Sequence, residues 1–236
     1  MCELTELTGA SERTIRRDLT ELDARGELHR VPGGAEAAIG RDQSSPFELH
    51  HTDDSVKNLY RALARKAASQ VRPGDRVLID HGAAALAVAE ELAGRGITAL
   101  PLSLQAANAL VRIRGNHVVL PSGTVTTPDQ GFTGSSVLQT VESMRFSTAF
   151  LSACDAAPRT GLTVADRNVA DVMRAALTYS DSSVLVATPE KFTRTSAHHF
   201  GDFSHLDSII TGTSIPATVD TAASDANVEL VKADAG

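Results

Sequence analysis

The chain contains little cysteine, with only Cys2 and Cys154 among its 236 residues. Two thiols are too few for a disulfide framework, so the sequence excludes a small secreted domain stapled by disulfides. Apolar runs long enough to cross a bilayer are also missing, as is a basic segment leading into an apolar run. These absences favour a reducing cytoplasm, in which Cys154 is expected to behave as a small buried apolar residue and not as a nucleophile.

Positive charge is in deficit as well, since 22 Lys and Arg face 29 Asp and Glu and give a formal net charge of -7. This balance excludes general binding to polyanions, so any affinity for DNA must come from a local patch and must fall steeply with salt. The adjacent His50 and His51 have no Cys or carboxylate partner at metal-ligand spacing. We therefore expect neither a metal site nor a cofactor.

What the chain does contain is an amphipathic helix pattern near its amino end. Ser11 is a typical N-cap residue, and Ile15, Leu19 and Leu22 recur at helical spacing on one face. Gly26 stands where such a helix would end. Away from the apolar face lie the residues that we expect to contact DNA, which are Arg13, Thr14, Arg16, Arg17 and Thr20.

A short hairpin pattern follows this helix. Leu28, Arg30 and Val31 lead into the residues 32–34, Pro-Gly-Gly, which are typical of a turn, and Arg30 is expected to anchor the resulting wing on DNA. Residues 4–10 indicate a short preceding helix and its turn. Together these patterns predict a winged helix-turn-helix over residues 1–36. The alternative is an ordinary surface helix with solvated arginines, because eight carboxylates outnumber five arginines in this segment.

The run from Ser11 to Leu19, SERTIRRDL, continues with Leu22, Gly26, Leu28, Arg30, Val31 and Gly33-Gly34-Ala35, and this pattern resembles the signature of the DeoR family of bacterial regulators. The resemblance implies a winged helix-turn-helix that binds operator DNA, usually to repress sugar or nucleoside catabolism. It also implies a sensor domain for a phosphorylated metabolite. Family members usually carry a first helix ahead of the position of Glu3, so we expect that helix to be missing from this sequence.

Residues 37–55 are polar and irregular and are typical of a linker. From Val56 onwards helical and extended patterns alternate, which predicts an α/β domain over residues 56–236 with a mostly parallel sheet covered by helices. The predicted strands are 76–80, 97–100, 117–120, 149–152, 184–187 and 208–211, with a weaker one at 228–231, and the predicted helices include 84–93, 105–112 and 169–179. The resemblance implies that this domain is similar in fold to ribose-5-phosphate isomerase.

In open parallel sheets small molecules bind at the carboxyl ends of the strands, where turns into helices present backbone N–H groups. The residues expected at such ends are Asp80, His81, Gly82, Ala83, Ser122, Gly123, Asp155 and Lys191. Lys191 is the expected counter-charge of a phosphate, and Asp80 and Asp155 are the expected partners of sugar hydroxyls. The alternatives are a solvated surface lysine and two acids that cap turns.

The strand ends depart from the pattern of the DeoR family. Where that family usually has two threonines after Gly82, this chain has Ala83 and Ala84, and the Asp that usually precedes the Lys-Phe pair is Thr188. Each lost hydrogen bond to a charged acceptor removes roughly 1.5 to 3 kcal/mol. We therefore expect phosphate binding to be weakened but retained, because backbone N–H groups and the helix dipole remain.

The sequence leaves three functions open. The first is a DNA-binding regulator, a repressor that acts as a homo-oligomer, a dimer or tetramer, and responds to a phosphorylated sugar or related effector. The second is an oligomeric metabolite sensor that has lost DNA binding, which the missing first helix would explain. The third is an isomerase-like enzyme in which Asp80, Asp155 and Lys191 transfer protons. A helix-turn-helix has no purpose in an isomerase, so the enzyme is disfavoured.

Overall fold

The computed structural model of the chain describes residues 10–24, 28–31, 34–37, 54–127, 130–152 and 154–234. The chain falls into two compact units divided after Ser44. Several predictions lie outside the described residues, namely those for residues 4–9, for Gly26, for the Pro32-Gly33 turn, for His50-His51 and for the side chain of Arg30. The domain bounds 1–36, 37–55 and 56–236 stay predictions.

The first unit contains the predicted helix and hairpin. Helix α1 (Glu12–Ala24) begins after Ser11, whose Oγ accepts a hydrogen bond from the Thr14 N–H at 3.2 Å. Ile15 and Leu19 are buried, which confirms the apolar face. Strands β1 (Leu28–Val31) and β2 (Gly34–Ala37) pair antiparallel with Val31 opposite Gly34, which confirms the wing.

The second unit alternates strands and helices. In chain order its elements are α2 (Asp54–Ala68), β3 (Arg76–Ile79), α3 (Ala83–Glu91), β4 (Thr98–Pro101), α4 (Leu104–Val111), β5 (His117–Val118), β6 (Thr124–Val125), β7 (Phe132–Thr133), α5 (Ser135–Glu142), β8 (Thr148–Leu151), β9 (Asp155–Ala157), β10 (Gly161–Val164), α6 (Arg167–Thr178), β11 (Ser183–Val186), a 3-10 helix (Pro189–Thr193), β12 (His198–Gly201), a second 3-10 helix (Phe203–His205), β13 (Ser208–Gly212), α7 (Ala217–Asp225) and β14 (Glu229–Ala233).

Seven of these strands form one sheet in the order β14-β13-β11-β8-β3-β4-β5, and every neighbouring pair is parallel. Each of the seven corresponds to a strand predicted from the sequence, so the expected parallel sheet is confirmed. The chain moves outwards from β3 to β5 and then returns to place β8 on the other side of β3. The carboxyl ends of β3 and β8 therefore form the topological switch point of the sheet, where ligands bind in such folds.

Helices cover both faces of the sheet, and its inner strands are therefore almost entirely apolar. Alternate residues of a strand face opposite sides, so Leu78 belongs to one core cluster whereas Val77 and Ile79 belong to the other. Helices α2, α3 and α4 cover the second cluster, and α5, α6 and α7 cover the first. This arrangement leaves the strand ends as the places where polar groups can gather.

The sequence did not predict the small strands β6, β7, β9, β10 and β12. Strands β12, β10 and β9 form an antiparallel sheet, and β6 pairs with β7 as a separate hairpin. These strands contain no continuous apolar run, as the Asp-Ala-Ala of β9 and the His-His-Phe-Gly of β12 show, so the sequence gives no local strand signal for them. Helix α7 was also missed, because it buries only Val219 and Ala223.

The β6–β7 hairpin depends on Gly123, and we expect substitution of this glycine to destabilise the protein. Gly123 has a φ of 144°, and an added Cβ would lie 2.6 Å from the carbonyl oxygen of Thr133. Gly134 provides a control, because its φ is 113° but nothing lies within 4 Å of an added Cβ. Gly134→Ala should cost only the backbone strain of about 1 to 3 kcal/mol. Gly123→Ala should reduce the free energy of unfolding further in urea titrations, and equal losses would contradict the clash.

Candidate functional site

The switch point is organised by the carboxylate of Asp80. This residue directly follows β3 and is only 1% exposed. Its Oδ2 accepts a hydrogen bond from the Ser152 N–H at 2.9 Å, which ties the end of β3 to the end of β8. Its Oδ1 accepts the His81 N–H at 2.8 Å and lies 2.7 Å from Nδ1 of the same histidine. The buried carboxylate therefore fixes both strand ends and the imidazole ring of His81.

Helix α3 begins at this point with its amino-terminal N–H groups directed to the strand ends. Its N-cap residue is Gly82, with a φ of 98° and no side chain to cap the helix. Ser152 Oγ accepts the N–H of Ala85 at 3.2 Å. Because Ala83 and Ala84 carry no hydroxyl, an anion here would be bound by backbone N–H groups and by the helix dipole.

A buried acid and a buried lysine form the second half of the site. Asp155 begins β9, is 7% exposed, and accepts a hydrogen bond from Ser196 Oγ at 2.6 Å. Lys191 lies in the 3-10 helix after β11 and is 9% exposed, with its Nζ 3.9 Å from Asp155 Oδ1. That separation is an ion pair beyond hydrogen-bond distance, so the ammonium keeps donors for an additional partner.

Cys154 shows that the two halves share one neighbourhood. The thiol is free and buried, as expected from the sequence. Burial raises the pKa of Cys154, and so does the carboxylate of Asp80; the Lys191 ammonium opposes this increase, and Asp155 adds to it. Because Ser152 binds Asp80 and Cys154 directly precedes Asp155, the two halves of the site are adjacent in the chain here, and the thiol stays protonated.

The first unit presents a separate cationic face. Arg13, Arg16 and Arg17 are exposed on α1, whereas Ile15 and Leu19 are buried. The Arg16 side chain is 65% exposed and pairs with Glu12 at 3.5 Å, and that of Arg17 is 78% exposed and pairs with Asp18 at 3.3 Å. Ion pairs this exposed are weak in water, so these guanidinium groups can exchange their partners for phosphates.

Two family descriptions match the chain, "DeoR-like helix-turn-helix domain" over residues 1–39 and "DeoR C terminal sensor domain" over residues 58–213. The chain belongs to the DeoR family. The predictions of a DeoR-type regulator and of its fold class are confirmed, and this protein is a transcriptional regulator with an amino-terminal helix-turn-helix and a sensor domain.

Relatives of this DeoR-family chain include regulators of known name. It is 28% identical to the putative aga operon transcriptional repressor of Escherichia coli O157:H7, over 97% of this chain and 86% of the relative. It is 27% identical to the glycerol-3-phosphate regulon repressor of Escherichia coli K12, over 97% and 90%. Ribose 5-phosphate isomerase A of Methanocaldococcus jannaschii is similar over 58% of this chain and 54% of that one, with a TM-score of 0.42 and 15% identity.

The DeoR-family sensor domain brings together most of the residues predicted at its strand ends. Lys191 pairs with Asp155, Ser152 links Asp80 to the segment that leads to Asp155, and His81 and Gly82 adjoin Asp80. Ser122 and Gly123 occupy the loop after β5, where Gly123 packs against Thr133. In the part of the chain that the structure describes, Ser122 forms no hydrogen bond with Asp155 or Lys191. The assignment of individual residues to an effector stays a prediction.

Sequence reasoning on this DeoR-family chain missed two serines of the site. Ser152 ends a predicted strand, so the strand-end rule that selected Asp80 would also have found it. Ser196 lies 41 residues after Asp155 and donates a hydrogen bond to it, which no sequence pattern predicts.

We expect Asp80→Ala to destabilise the DeoR sensor domain severely. The substitution removes a buried acceptor of three hydrogen bonds from His81 and Ser152. Since a hydrogen bond to a charged group contributes about 1.5 to 3 kcal/mol, the free energy of unfolding in urea should fall by about 3 kcal/mol or more. Asp220→Ala is the control, because the exposed ion pair of Asp220 with Lys232 should contribute at most about 1 kcal/mol. Equal losses in the two variants would contradict this role of Asp80.

No helix of the described residues is long and apolar enough to cross a membrane. Within the same ranges, no group of three or more His, Cys, Asp and Glu could hold a metal ion.

Proposed function

We propose that this DeoR-family regulator is a repressor of a sugar or carbohydrate catabolism operon. In this proposal it acts in the cytoplasm, and a phosphorylated sugar or related metabolite sets its affinity for operator DNA. Two observations at the switch point of the sheet carry the proposal: Ser152 at the end of β8 accepts a hydrogen bond from the first turn of α3, and three residues further along the chain Asp155 lies 3.9 Å from Lys191. Two relatives bear names of the same kind, since one is a repressor of the aga operon and the other of the glycerol-3-phosphate regulon.

The DNA half of the proposal assigns α1 to the major groove. An α-helix fits the width of the major groove. Helix α1 has an apolar face on one side and exposed arginines on the other, which can face the DNA. The residues that contact bases and phosphates are Arg13, Thr14, Arg16, Arg17 and Thr20, with Arg30 on the wing. A homo-oligomer, a dimer or tetramer, places several such helices on repeated half-sites.

The effector half of the proposal uses the two kinds of groups at the strand ends. Lys191 binds the anionic group as a point cation, and the N–H groups at the start of α3 contribute further donors. Asp155 and His81 bind hydroxyl groups of the sugar. The full set of proposed effector residues is Asp80, His81, Gly82, Ala83, Ser122, Gly123, Asp155 and Lys191. The carboxylates next to Lys191 favour a ligand that carries hydroxyls beside its phosphate over a bare anion.

In this proposal the protein does not turn its effector over. The carboxylate of Asp80 already accepts three hydrogen bonds inside the protein, so it is badly placed to carry a proton to and from a sugar. Incubation of purified protein with ribose 5-phosphate should leave the sugar unchanged. Isomerisation that Lys191→Ala abolishes would support the enzyme instead.

The test uses the full chain and a fixed set of compounds, which are ribose 5-phosphate, fructose 6-phosphate, glycerol 3-phosphate, their unphosphorylated forms and inorganic phosphate. A compound that binds the folded state raises its stability by about 2.7 kcal/mol at a hundredfold excess over Kd, which thermal unfolding detects easily. We expect at least one phosphorylated compound to raise Tm and to change the affinity for promoter DNA of the protein's own gene in a fluorescence anisotropy titration. The proposal fails if the protein ignores that DNA at low salt or if no phosphorylated compound acts.

A further inference from the structure

The helix that leads into the sensor domain concentrates positive charge. Helix α2 contains one acid, Asp54, and four cations, which are Lys57, Arg61, Arg65 and Lys66. The chain as a whole has a formal net charge of -7. The charge of α2 is therefore opposite in sign to that of the protein that carries it.

Two of these cations lie side by side on the solvent face of the helix. Arg61 and Arg65 are exposed, whereas Leu63, Ala64 and Ala67 are buried against the core. At 100° per residue, positions four apart differ by about 40° around the helix axis. The Arg65 Nε donates to the Arg61 carbonyl oxygen at 3.3 Å, which places its guanidinium group next to the backbone of Arg61. The two arginines therefore form one cationic surface, the α2 arginine pair.

The α2 arginine pair has no acid to neutralise it on its own helix. The position one turn before Arg61 is occupied by Lys57, and Asp54 pairs with that lysine at 3.5 Å. Within the ranges that the structure describes, neither Arg61 nor Arg65 forms an ion pair with a carboxylate. Like charges four residues apart destabilise a helix. Lys57, Arg61 and Arg65 follow one another at that spacing, so an anionic partner would relieve a repulsion that the helix otherwise retains.

Arginines on two other helices show the contrasting arrangement. On α6, Arg174 donates to Asp171 at 2.9 Å, and on α1, Arg16 pairs with Glu12 at 3.5 Å. In both cases the acid lies one helical turn before the arginine and reduces the local positive charge. The α2 arginine pair keeps its charge available for an external anion.

We propose that the α2 arginine pair binds backbone phosphates of operator DNA, as a contact additional to that of the helix-turn-helix. The inference rests on the proposed function in one respect, since it needs this regulator to bind promoter DNA. DNA is the polyanion that the chain itself indicates, because the DeoR-like helix-turn-helix match covers residues 1–39 and α2 is the next described helix along the chain. The planar guanidinium group binds phosphate oxygens through two parallel hydrogen bonds. Contacts of this kind add affinity and salt dependence but carry no information about base sequence.

The test measures the affinity of full-length proteins for the promoter fragment of the protein's own gene by fluorescence anisotropy at several salt concentrations. The variants are Arg61→Ala, Arg65→Ala and the double variant. Lys66→Ala is the control on the same helix, since Lys66 is exposed but lies about 140° around the axis from Arg61. Arg112→Ala with Arg114→Ala gives the same net charge as the double variant and controls for total charge.

We expect the double variant to bind the promoter about fivefold or more weakly at about 0.1 M salt, and its slope of log K against log salt to fall by about two. Each single variant should lose about half of this slope, and both controls should match wild-type protein. The affinity for unrelated DNA of equal length should fall by the same factor, because phosphate contacts do not distinguish sequences. Arg61→Lys with Arg65→Lys keeps the charge and should retain most of the affinity. Thermal unfolding should not occur earlier in the alanine variants, because alanine favours a helix.

The possible failures are separable. Equal affinity and equal slope in the wild-type protein and the double variant would overturn the phosphate contact and leave the proposed function standing. An equal loss in either control would overturn it as well, because total charge would then explain the effect. Light scattering gives the oligomeric state, and a smaller oligomer in the double variant would assign the arginines to a subunit contact and overturn the inference. Absence of promoter binding by the wild-type protein at low salt would overturn both this inference and the proposed function.

Discussion

Replacing Arg16 and Arg17 together by alanine is expected to weaken operator binding by about tenfold or more at moderate salt. Both guanidinium groups are exposed on α1, where Arg16 pairs with Glu12 and Arg17 with Asp18. Because this chain has a net charge of -7, its affinity for DNA must depend on a few such local cations. Fluorescence anisotropy with the promoter fragment of the protein's own gene measures the loss, and the slope of log K against log salt should fall by about one for each lost phosphate contact.

Arg112→Ala with Arg114→Ala is the matched control. These two arginines are also exposed and close in sequence, but they lie after α4 in the sensor domain. The control pair should leave DNA affinity and the salt slope unchanged, which shows that the effect belongs to α1 and not to total charge. Both double variants should keep the thermal unfolding of the sheet domain. Equal DNA affinity of the α1 variant and the wild-type protein would refute the assignment of α1 as the recognition helix.

Replacing Lys191 by alanine is the second substitution with a large expected effect, a loss of effector affinity of roughly ten- to a hundredfold with DNA affinity retained. The ammonium of Lys191 is buried and stands 3.9 Å from Asp155, so it remains able to donate to an anionic ligand. Calorimetry with the phosphorylated compound that raises wild-type Tm most gives the affinity, and anisotropy gives the DNA binding. The unphosphorylated compound should bind both proteins with the same low affinity, because it carries no group for the ammonium.

Two variants separate the charge of Lys191 from its packing. Lys191→Met keeps most of the side-chain volume and should lose effector affinity as fully as Lys191→Ala, while unfolding nearer to the wild-type temperature. Lys66→Ala removes an exposed lysine of α2 and should change neither measurement. If Lys191→Met bound the compound as tightly as the wild-type protein does, the ammonium would have no part in recognition.

Much of the fold could be predicted from the sequence because apolar strand runs alternate with helical patterns along the second domain. The runs that became β3, β8 and β11 are continuously apolar and lie between helical patterns, so their number and direction followed from periodicity. The antiparallel strands β9, β10 and β12 were missed because their sequences, Asp-Ala-Ala, Gly-Leu-Thr-Val and His-His-Phe-Gly, form no continuous apolar run. Their pairing depends on contacts between distant segments that a local pattern does not contain.

The candidate site divides in the same way. Asp80, Asp155 and Lys191 were selected because each follows or adjoins a predicted strand end, and in the structure Lys191 pairs with Asp155 while Asp80 binds Ser152 at the end of β8. Whether the acids face a ligand or the protein could not be read from the sequence. The structure gives Asp80 three internal donors, so it acts as the residue that positions His81 and Ser152.

The sequence by itself determined the order of two domains, the cationic helix of the first, and the parallel sheet of the second, because helix caps, apolar periods and strand-end residues are properties of neighbouring positions in the chain. Only the tertiary structure decided that Ser196 binds Asp155, that Lys191 pairs with Asp155, and that Ser152 binds Asp80. These contacts join residues far apart in the chain, and their distances are set by how helices pack on the sheet.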